Sequence, residues 1–372
     1  MAQRIQISTR PPGAQFILKI TDLKTSNGEY ERVASCVDGD YRGFIAIHST
    51  ALGPAVGGTR FWRYESDEAA IKDLLRLARG MTYKNALAGI PFGGGKSIIL
   101  RNDQGVDREQ LFRAHGRFVE SFGGRYITAE DVGTNPGDME FVRLETKHVA
   151  GLMGKSGDPS PVTARGVFRA LQAAAKHRWG SDDVTGKTVA LQGCGNVGYY
   201  LAASLQQAGA RLIATDVDEA KVDRVVAEFG ALAVAPDEIY RQRADVFAPC
   251  ALGGIINDET IAQLKVEIVA GGANNQLLEA RHGDELHRLR ILYAPDYAAN
   301  AGGIINGCRE LLGWEPSQSA AKVDEIYNTV LDIFSTAEAE GIPTYKAADR
   351  LAERRLEKGS SLDPICRQQQ SV

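Results

Sequence analysis

An α/β protein of two domains is predicted, the second built on a doubly wound parallel sheet. Three observations carry this. From about residue 162 to residue 294, helix-like and strand-like segments alternate, the pattern of parallel strands joined by helical crossovers. Gly193-Cys194-Gly195-Asn196-Val197-Gly198 lies between a strand-like run and a helix-like run. At 372 residues the chain exceeds one ordinary core, and a Gly/Pro-rich stretch at 151–161 marks the boundary.

The N-terminal part begins with strand candidates at 16–20, 30–37 and 43–48, rich in β-branched and aromatic residues and separated by Asn27-Gly28 and Asp38-Gly39. Residues 52–60 read as a glycine-rich turn. Ser66 caps a helix with Asp67 and Glu68 in its first turn, and Ile71, Leu74, Leu75, Ala78 and Met81 form its apolar stripe. Lys84 lies one turn beyond Met81. A lysine on an apolar stripe must reach water or meet an anion. Twelve residues later, Lys96 follows Gly93-Gly94-Gly95 and leads into Ile98-Ile99-Leu100. A triple glycine ahead of a strand costs backbone entropy, which points to close approach by a backbone or a ligand. Both lysines are predicted to face one small anionic substrate. Asp107 and Gln110 begin a helix carrying Leu111, Ala114, Phe118 and Phe122, and a short strand at 125–128 runs into Glu130-Asp131.

In the second part, helices are predicted at 162–178 and 196–208, with strands at 188–192, 211–215, 245–248, 266–270 and 291–294. Gly193, Cys194, Gly195, Asn196, Val197 and Gly198 sit where a strand feeds a helix, and Asp216 ends the next strand, 23 residues after Gly193. That context is the dinucleotide-binding fingerprint. Its glycines admit the pyrophosphate at the helix N-terminus, and the acid receives the adenosine ribose. Asp216 and Asp218 would repel a 2′-phosphate, so NAD is predicted over NADP. The segments 271–275 and 295–303, each following a strand, lie where doubly wound folds bind ligands. Leu331, Phe334 and Ala337 mark a late helix, and 343–357 a last one, with a polar, frayed tail at 367–372.

Composition excludes several classes. The net charge is −4, with no Lys/Arg block for nucleic acid. No run of eighteen apolar residues occurs, and the opening residues lack the apolar core of a secretory signal, so a cytoplasmic protein without membrane contact is expected. Cys36, Cys194, Cys250, Cys308 and Cys366 are scattered, as in a reducing compartment. No metal is expected, and His282 and His287 read as surface residues. Gly93-Gly94-Gly95-Lys96-Ser97 is not a phosphate-binding loop, because Ile90 stands where that pattern needs glycine. What remains is one domain for a nicotinamide cofactor and one presenting two lysines and an aspartate. A lysine beside another cation in a closing cleft can act as a base.

Six stretches, read together, resemble the leucine/phenylalanine/valine dehydrogenases of the glutamate dehydrogenase superfamily. They are Gly80–Ala86, Gly93–Lys96, Thr128–Asp131, the Gly193–Gly198 loop, Ala248–Gly253 and Pro295–Gly303, and the resemblance extends from about residue 30 to about 357. It implies NAD-dependent oxidative deamination of an L-amino acid to a 2-oxo acid and ammonia in a homo-oligomer. The fold implied is a substrate-binding and oligomerisation domain of residues 1–150 plus about 340–372, a Rossmann-like NAD-binding domain of residues 151–339, and a cleft between them. Lys84 is implied to bind the substrate carboxylate, Lys96 to activate water, and Asp131 to exchange a proton with the amine. Asn274 is implied to lie near nicotinamide and substrate, Thr163 on the cofactor side, and Gly57 and Ala129 beside the substrate.

Side-chain selection is implied to rest on Val56, Ile304 and Gly307. The glutamate enzymes hold a γ-carboxylate with a lysine and a serine where this chain has Val56 and Gly307. A buried anionic side chain would therefore be unpaired here. Val56 and Gly307 are smaller than the Leu and Val usual in leucine enzymes, which leaves room for leucine and for larger side chains such as phenylalanine. Two other readings stand beside this one: an aromatic-specific (phenylalanine or tryptophan) dehydrogenase, and an NAD-binding redox sensor without catalysis.

Overall fold

The computed structural model describes residues 18–24, 28–101, 107–154 and 157–360. The chain forms two compact units, Met1–Gly157 with Arg355–Val372, and Asp158–Arg354.

The first unit contains β1 (Lys19–Asp22), β2 (Arg32–Asp38), β3 (Tyr41–Ser49), β4 (Ala55–Trp62), α1 (Asp67–Ala88), β5 (Gly93–Leu100), α2 (Arg108–Glu120), β6 (Tyr126–Glu130) and α3 (Pro136–Arg143). Its mixed sheet has the order β1-β2-β3-β5-β4-β6. β1, β2, β3 and β5 pair antiparallel in turn, whereas β4 runs parallel to both β5 and β6. Strand alternation gives the sheet two faces. On one, Phe44, Ala46 and Ile98 pack with Ala70, Leu74 and Ala78 of α1. On the other, Ile45, Ile47, Ala55, Ile99 and Tyr126 pack with Phe112, Ala114, Phe118 and Val119 of α2. α1 begins as predicted, with Ser66 Oγ accepting from Ala69 N, and Asp107 caps α2 by accepting from Glu109 N and Gln110 N. The C-terminal end of α1 is met by Arg355, whose Nη1 donates to the carbonyls of Ala86 and Leu87 at 3.0 and 2.6 Å.

The second unit comprises α4 (Ser160–Trp179), β7 (Thr188–Gln192), α5 (Asn196–Gln207), β8 (Arg211–Thr215), α6 (Glu219–Phe229), β9 (Leu232–Ala233), β10 (Val246–Pro249), α7 (Asp258–Ile261), β11 (Ile268–Val269), α8 (Ala280–Arg288), β12 (Leu292–Tyr293), α9 (Asp296–Ala299), α10 (Gly302–Leu312), α11 (Pro316–Asp324), α12 (Ile326–Glu340) and α13 (Thr344–Ser360). The last six residues of α13 belong to the first unit. The sheet order is β12-β11-β10-β7-β8-β9, all parallel. This is the doubly wound order, with its switch point between β7 and β10. The predicted strands at 188–192 and 211–215 are β7 and β8 with those bounds.

Four expectations are corrected. Residues 55–60 are not a turn but the start of β4, between β5 and β6. Gly93–Gly95 do not precede β5; they open it. The glycines serve close packing: an added Cβ at Gly57 would stand 1.8 Å from Gly95 O, one at Gly93 2.0 Å from Ser49 O, and one at Gly94 2.1 Å from Thr82 N of α1. His282 is 1 % exposed, and its Nδ1 accepts from Glu279 N at 3.0 Å as part of the N-terminal cap of α8. Leu331 is only half-buried, and the buried stripe of α12 is Ile326, Val330, Ile333, Phe334 and Ala337. Of the predicted strand at 16–20, Leu18 precedes β1 and Lys19 and Ile20 lie in it; positions 16 and 17, Asn27, Cys366 and the 367–372 tail lie outside the described residues. Cys36, Cys194, Cys250 and Cys308 are free thiols. Among the described residues, no helix is long and apolar enough to cross a membrane, and no group of three or more His, Cys, Asp or Glu is arranged as a metal site.

Candidate active site

Register places the polar residues of the first unit. Val56 pairs with Gly94 and Ile127, so Val56, Gly58 and Arg60 of β4 share the α1 face with Gly94, Lys96 and Ile98 of β5 and with Ala129 and Asp131 along β6. Lys96 is only 5 % exposed, and its Nζ lies 2.8 Å from Asp131 Oδ2. The same oxygen accepts from Arg60 Nε at 3.2 Å. Arg60 Nη1 donates to Asp73 Oδ2 on α1 at 2.8 Å, and Asp73 also accepts from the Tyr64 hydroxyl at 2.6 Å and from Arg76 at 2.8 Å. Burial pushes the Lys96 ammonium below its ordinary lysine value, and Asp131 only partly offsets this. Burial also pushes the Asp131 carboxyl up, but Lys96 and Arg60 outweigh it and hold that group below the ordinary range. The loop after β6 is pinned, because Thr134 Oγ1 accepts from Asp131 N and donates to Asp131 O, both at 2.8 Å.

Lys84, half-buried, follows Thr82 by two residues on α1, where the helix crosses the backbone of Gly94. Val56 is 2 % exposed. Gly57 faces the other way, its carbonyl accepting from the Tyr126 hydroxyl at 2.6 Å. On that opposite face, Thr59 Oγ1 contacts Ser97 Oγ at 2.8 Å, His115 Nε2 at 2.9 Å and Thr128 Oγ1 at 2.5 Å, and His115 Nδ1 pairs with the Tyr41 hydroxyl at 2.8 Å. Three sheet members of this buried network adjoin residues of the α1 face that line the site: Thr59 precedes Arg60, Ser97 follows Lys96, and Thr128 precedes Ala129.

In the second unit, Gly193 leaves β7 with φ +97°, a conformation that favours glycine. A Cβ on Gly198 would stand 1.9 Å from Gly193 O, whereas one on Gly195 meets nothing within 4 Å. The turn is therefore closed on the protein side and open at the head of α5, where the first N–H groups of a helix are available to an anion. Asn196 and Val197 begin that helix. Asp216 Oδ2 accepts from Cys194 N at 2.7 Å and Oδ1 from Asp218 N at 3.0 Å, so its carboxylate also braces the loop. Lys221, one turn into α6, is paired with Asp218 at 3.2 Å. Asn274 is exposed, and its Oδ1 accepts from Asn300 Nδ2 at 2.8 Å, which leaves the Asn274 amide hydrogens directed away from that contact. Thr163 Oγ1 donates to Pro159 O at 2.9 Å. Ile304 and Gly307 are half-buried, one turn apart on α10, and a Cβ on Gly307 meets nothing within 4 Å.

Comparison with known proteins meets this geometry. A family model described as Glu/Leu/Phe/Val dehydrogenase, dimerisation domain, matches residues 32–148, and one described as Glutamate/Leucine/Phenylalanine/Valine dehydrogenase matches residues 154–221 and 215–361. The chain is 52 % identical over 335 residues to the leucine dehydrogenase of Bacillus subtilis (strain 168), covering 89 % of this chain and 92 % of the relative. It belongs to the glutamate/leucine/phenylalanine/valine dehydrogenase family. The phenylalanine dehydrogenase of Caldalkalibacillus thermarum (strain TA2.A1) is 45 % identical over 345 residues, covering 90 % of this chain and 93 % of the relative. The crystal structure of L-tryptophan dehydrogenase from Nostoc punctiforme superposes with a TM-score of 0.83 at 45 % identity, covering 90 % of this chain and 98 % of that one. The family is one of NAD(P)-dependent dehydrogenases, and this chain is an amino-acid dehydrogenase, an oxidoreductase acting on the CH–NH2 group of its donor.

Three residues of this family member escaped sequence reasoning: Arg60, Asp73 and Tyr64. Arg60 and Asp73 carry no local motif and Tyr64 lies in a loop; Asn300 falls in the singled-out segment 295–303, but its contact with Asn274, 26 residues away, is not foreseen from the sequence. Cys194 lies in the Gly193–Gly198 turn, and Cys250 packs against it. Burial pushes Cys194 to about 11 and Cys250 to about 12, and Cys250 Sγ accepts from Gly272 N.

Proposed function

We propose that this enzyme oxidatively deaminates apolar L-amino acids, leucine and larger side chains included, to 2-oxo acids and ammonia, with NAD as its cofactor. The observation that carries the reading is the buried Lys96–Asp131 pair, a depressed lysine beside a carboxylate kept ionised. Lys84 holds the substrate carboxylate. Asp131 accepts a proton from the substrate ammonium, which frees the amine lone pair for oxidation at Cα. Lys96 takes a proton from the water that attacks the resulting iminium carbon; Asp131 then returns its proton to the carbinolamine nitrogen, the C–N bond breaks as ammonia leaves, and the hydroxyl proton is lost as the 2-oxo group forms. When bound, the nicotinamide supplies the hydride acceptor. Ala129 lies beside the substrate in this reading, whereas Gly57, facing the other side of the sheet, could border it only through its backbone.

The first unit serves substrate binding and homo-oligomer formation, and the second binds the dinucleotide. The open head of α5 at Gly195 fits a pyrophosphate. Asp216 and Asp218 favour an unphosphorylated ribose, and the nearby cation, Lys221, is already engaged by Asp218. Asn274, oriented by Asn300, and Thr163 contact the nicotinamide side of the cofactor. Val56, Ile304 and Gly307 set the side-chain preference, with Gly307 leaving space that a larger residue would fill. That space also favours a second reading, an aromatic-specific enzyme. Initial rates for leucine, valine, phenylalanine and tryptophan with NAD and with NADP test both. Activity on leucine and phenylalanine with NAD supports the first reading, aromatic activity alone the second, and strict valine preference overturns both. One methylene is worth only about 1–3 kcal/mol of discrimination, so broad specificity is expected.

A further inference from the structure

Asp131 receives two cations on one oxygen, and they differ in kind. Lys96 is a base that loses and regains its proton in the proposed reaction. Arg60 remains protonated throughout the accessible pH range. Its guanidinium bridges Asp131 Oδ2 at 3.2 Å and Asp73 Oδ2 at 2.8 Å, and Asp73 is itself tied by Tyr64 at 2.6 Å and by Arg76 at 2.8 Å. The charged and titratable groups that act on Asp131 are Lys96 on β5, Arg60 on β4 and Tyr126 on β6, while Asp73, Tyr64 and Arg76 are joined to it through Arg60. Glu130 alternates to the other face of β6.

We infer that Arg60, braced by Asp73, is a positioning residue of the reaction: it fixes Asp131 against Lys96 and leaves a permanent cation on that carboxylate when Lys96 becomes neutral. The inference rests on the proposed roles of Lys96 and Asp131. Its physical content is a division of labour. With Lys96 alone, loss of the lysine proton would leave a half-buried carboxylate without a cation, and its partial burial would favour uptake of a proton from its surroundings. Asp131 would then be unable to accept the substrate's proton. Arg60 prevents this at every stage of the cycle. Asp73 keeps the guanidinium in the plane that reaches Asp131, and Tyr64 and Arg76 keep Asp73 in place.

The test is the pH profile of kcat/KM for leucine with NAD. Arg60→Gln is expected to move the acid limb upward by about 1–3 pH units, the range set by removing an adjacent opposite charge. Arg60→Lys restores part of that shift, because it returns a cation that cannot span both carboxylates. Asp73→Ala lowers kcat/KM in the parent enzyme and adds nothing in the Arg60→Gln background, as required of a residue acting only through Arg60. Arg60→Met, of similar length, repeats the test if the Gln variant does not fold. An acid limb unmoved in the Gln or Met variant, with activity reduced equally at all pH values, overturns the inference and leaves Arg60 a purely structural residue. Asp131→Asn separates the two levels: if it retains parental activity, the assignment of Asp131 has failed, and not the role of Arg60 alone.

Discussion

Replacing Gly94 by alanine tests whether the glycines of β5 exist for the protein's own packing. An added Cβ there would lie 2.1 Å from Thr82 N, 2.2 Å from Thr82 Oγ1 and 2.4 Å from Thr82 Cα. Ordinary contact begins near 3.4 Å. Helix α1 must therefore retreat from β5 by about 1 Å, since the obstacle is backbone and no rotamer change removes it. Overpacking of this kind costs about 1–3 kcal/mol, a fall in Tm of a few to about 10 °C for a unit of this size. The retreat moves Asp73 and Lys84, both on α1, relative to Lys96 on β5. A misplacement of about 1 Å is worth up to about 100-fold in rate. Thermal unfolding followed by circular dichroism, with kcat/KM for leucine on the same sample, reads both effects. Gly80→Ala, on α1 itself, is the matched control, because a Cβ there meets nothing within 4 Å. A Gly94→Ala enzyme as stable and as active as the parent would refute the reasoning, and the close approach of α1 would have to be given up as the reason for glycine at this position.

Lys96→Ala is expected to collapse kcat by at least about 100-fold while substrate binding is partly retained, whereas Lys84→Ala chiefly raises KM; steady-state kinetics with leucine checks this, and the reverse pattern exchanges the two roles. Burial lowers the His115 imidazole to about 3, so below about pH 6.5 the unfolded chain binds a proton that the folded protein refuses. Stability therefore rises with pH between those values, and about 2 kcal/mol is lost on going from pH 7 to pH 5. Urea unfolding at both pH values should show this loss shrinking in His115→Gln, and an unchanged difference would discount His115 as its source. Gly307→Val has room on α10, and is expected to leave Tm near the parent value while lowering kcat/KM for phenylalanine relative to valine by about 10-fold or more. A parallel loss for both substrates in the same competition assay would remove Gly307 from side-chain selection.

Much of the second unit was legible in the sequence because its signals are local. β7 and β8 are short apolar runs, Gly193, Gly195 and Gly198 occupy one turn and the helix it opens, and Asp216 closes the next strand. Each rests on periodicity or on backbone demands within a few residues, which a sequence displays directly. Ser66 and Asp107 were legible for the same reason, as caps satisfy donors two or three residues away.

Tertiary structure decided the matters in which one local signal has two causes. Glycine marks turns, and it also marks places where another backbone must come close. Residues 52–60 carried the first meaning in sequence and, from Ala55 onward, the second in structure, because Gly57 faces Gly95 from 38 positions away. The same holds for His282, whose burial depends on how α8 packs, and for Arg60 and Asp73, which meet only because β4 and α1 lie side by side. The sequence by itself determined a dinucleotide fold and a pair of lysines matched to amino-acid deamination. Only the folded chain decided that Lys96 and Asp131 share a buried contact and that Arg60 stands behind it. Contacts between distant residues leave no periodic trace, and their energy depends on burial, which is set after the strands have paired.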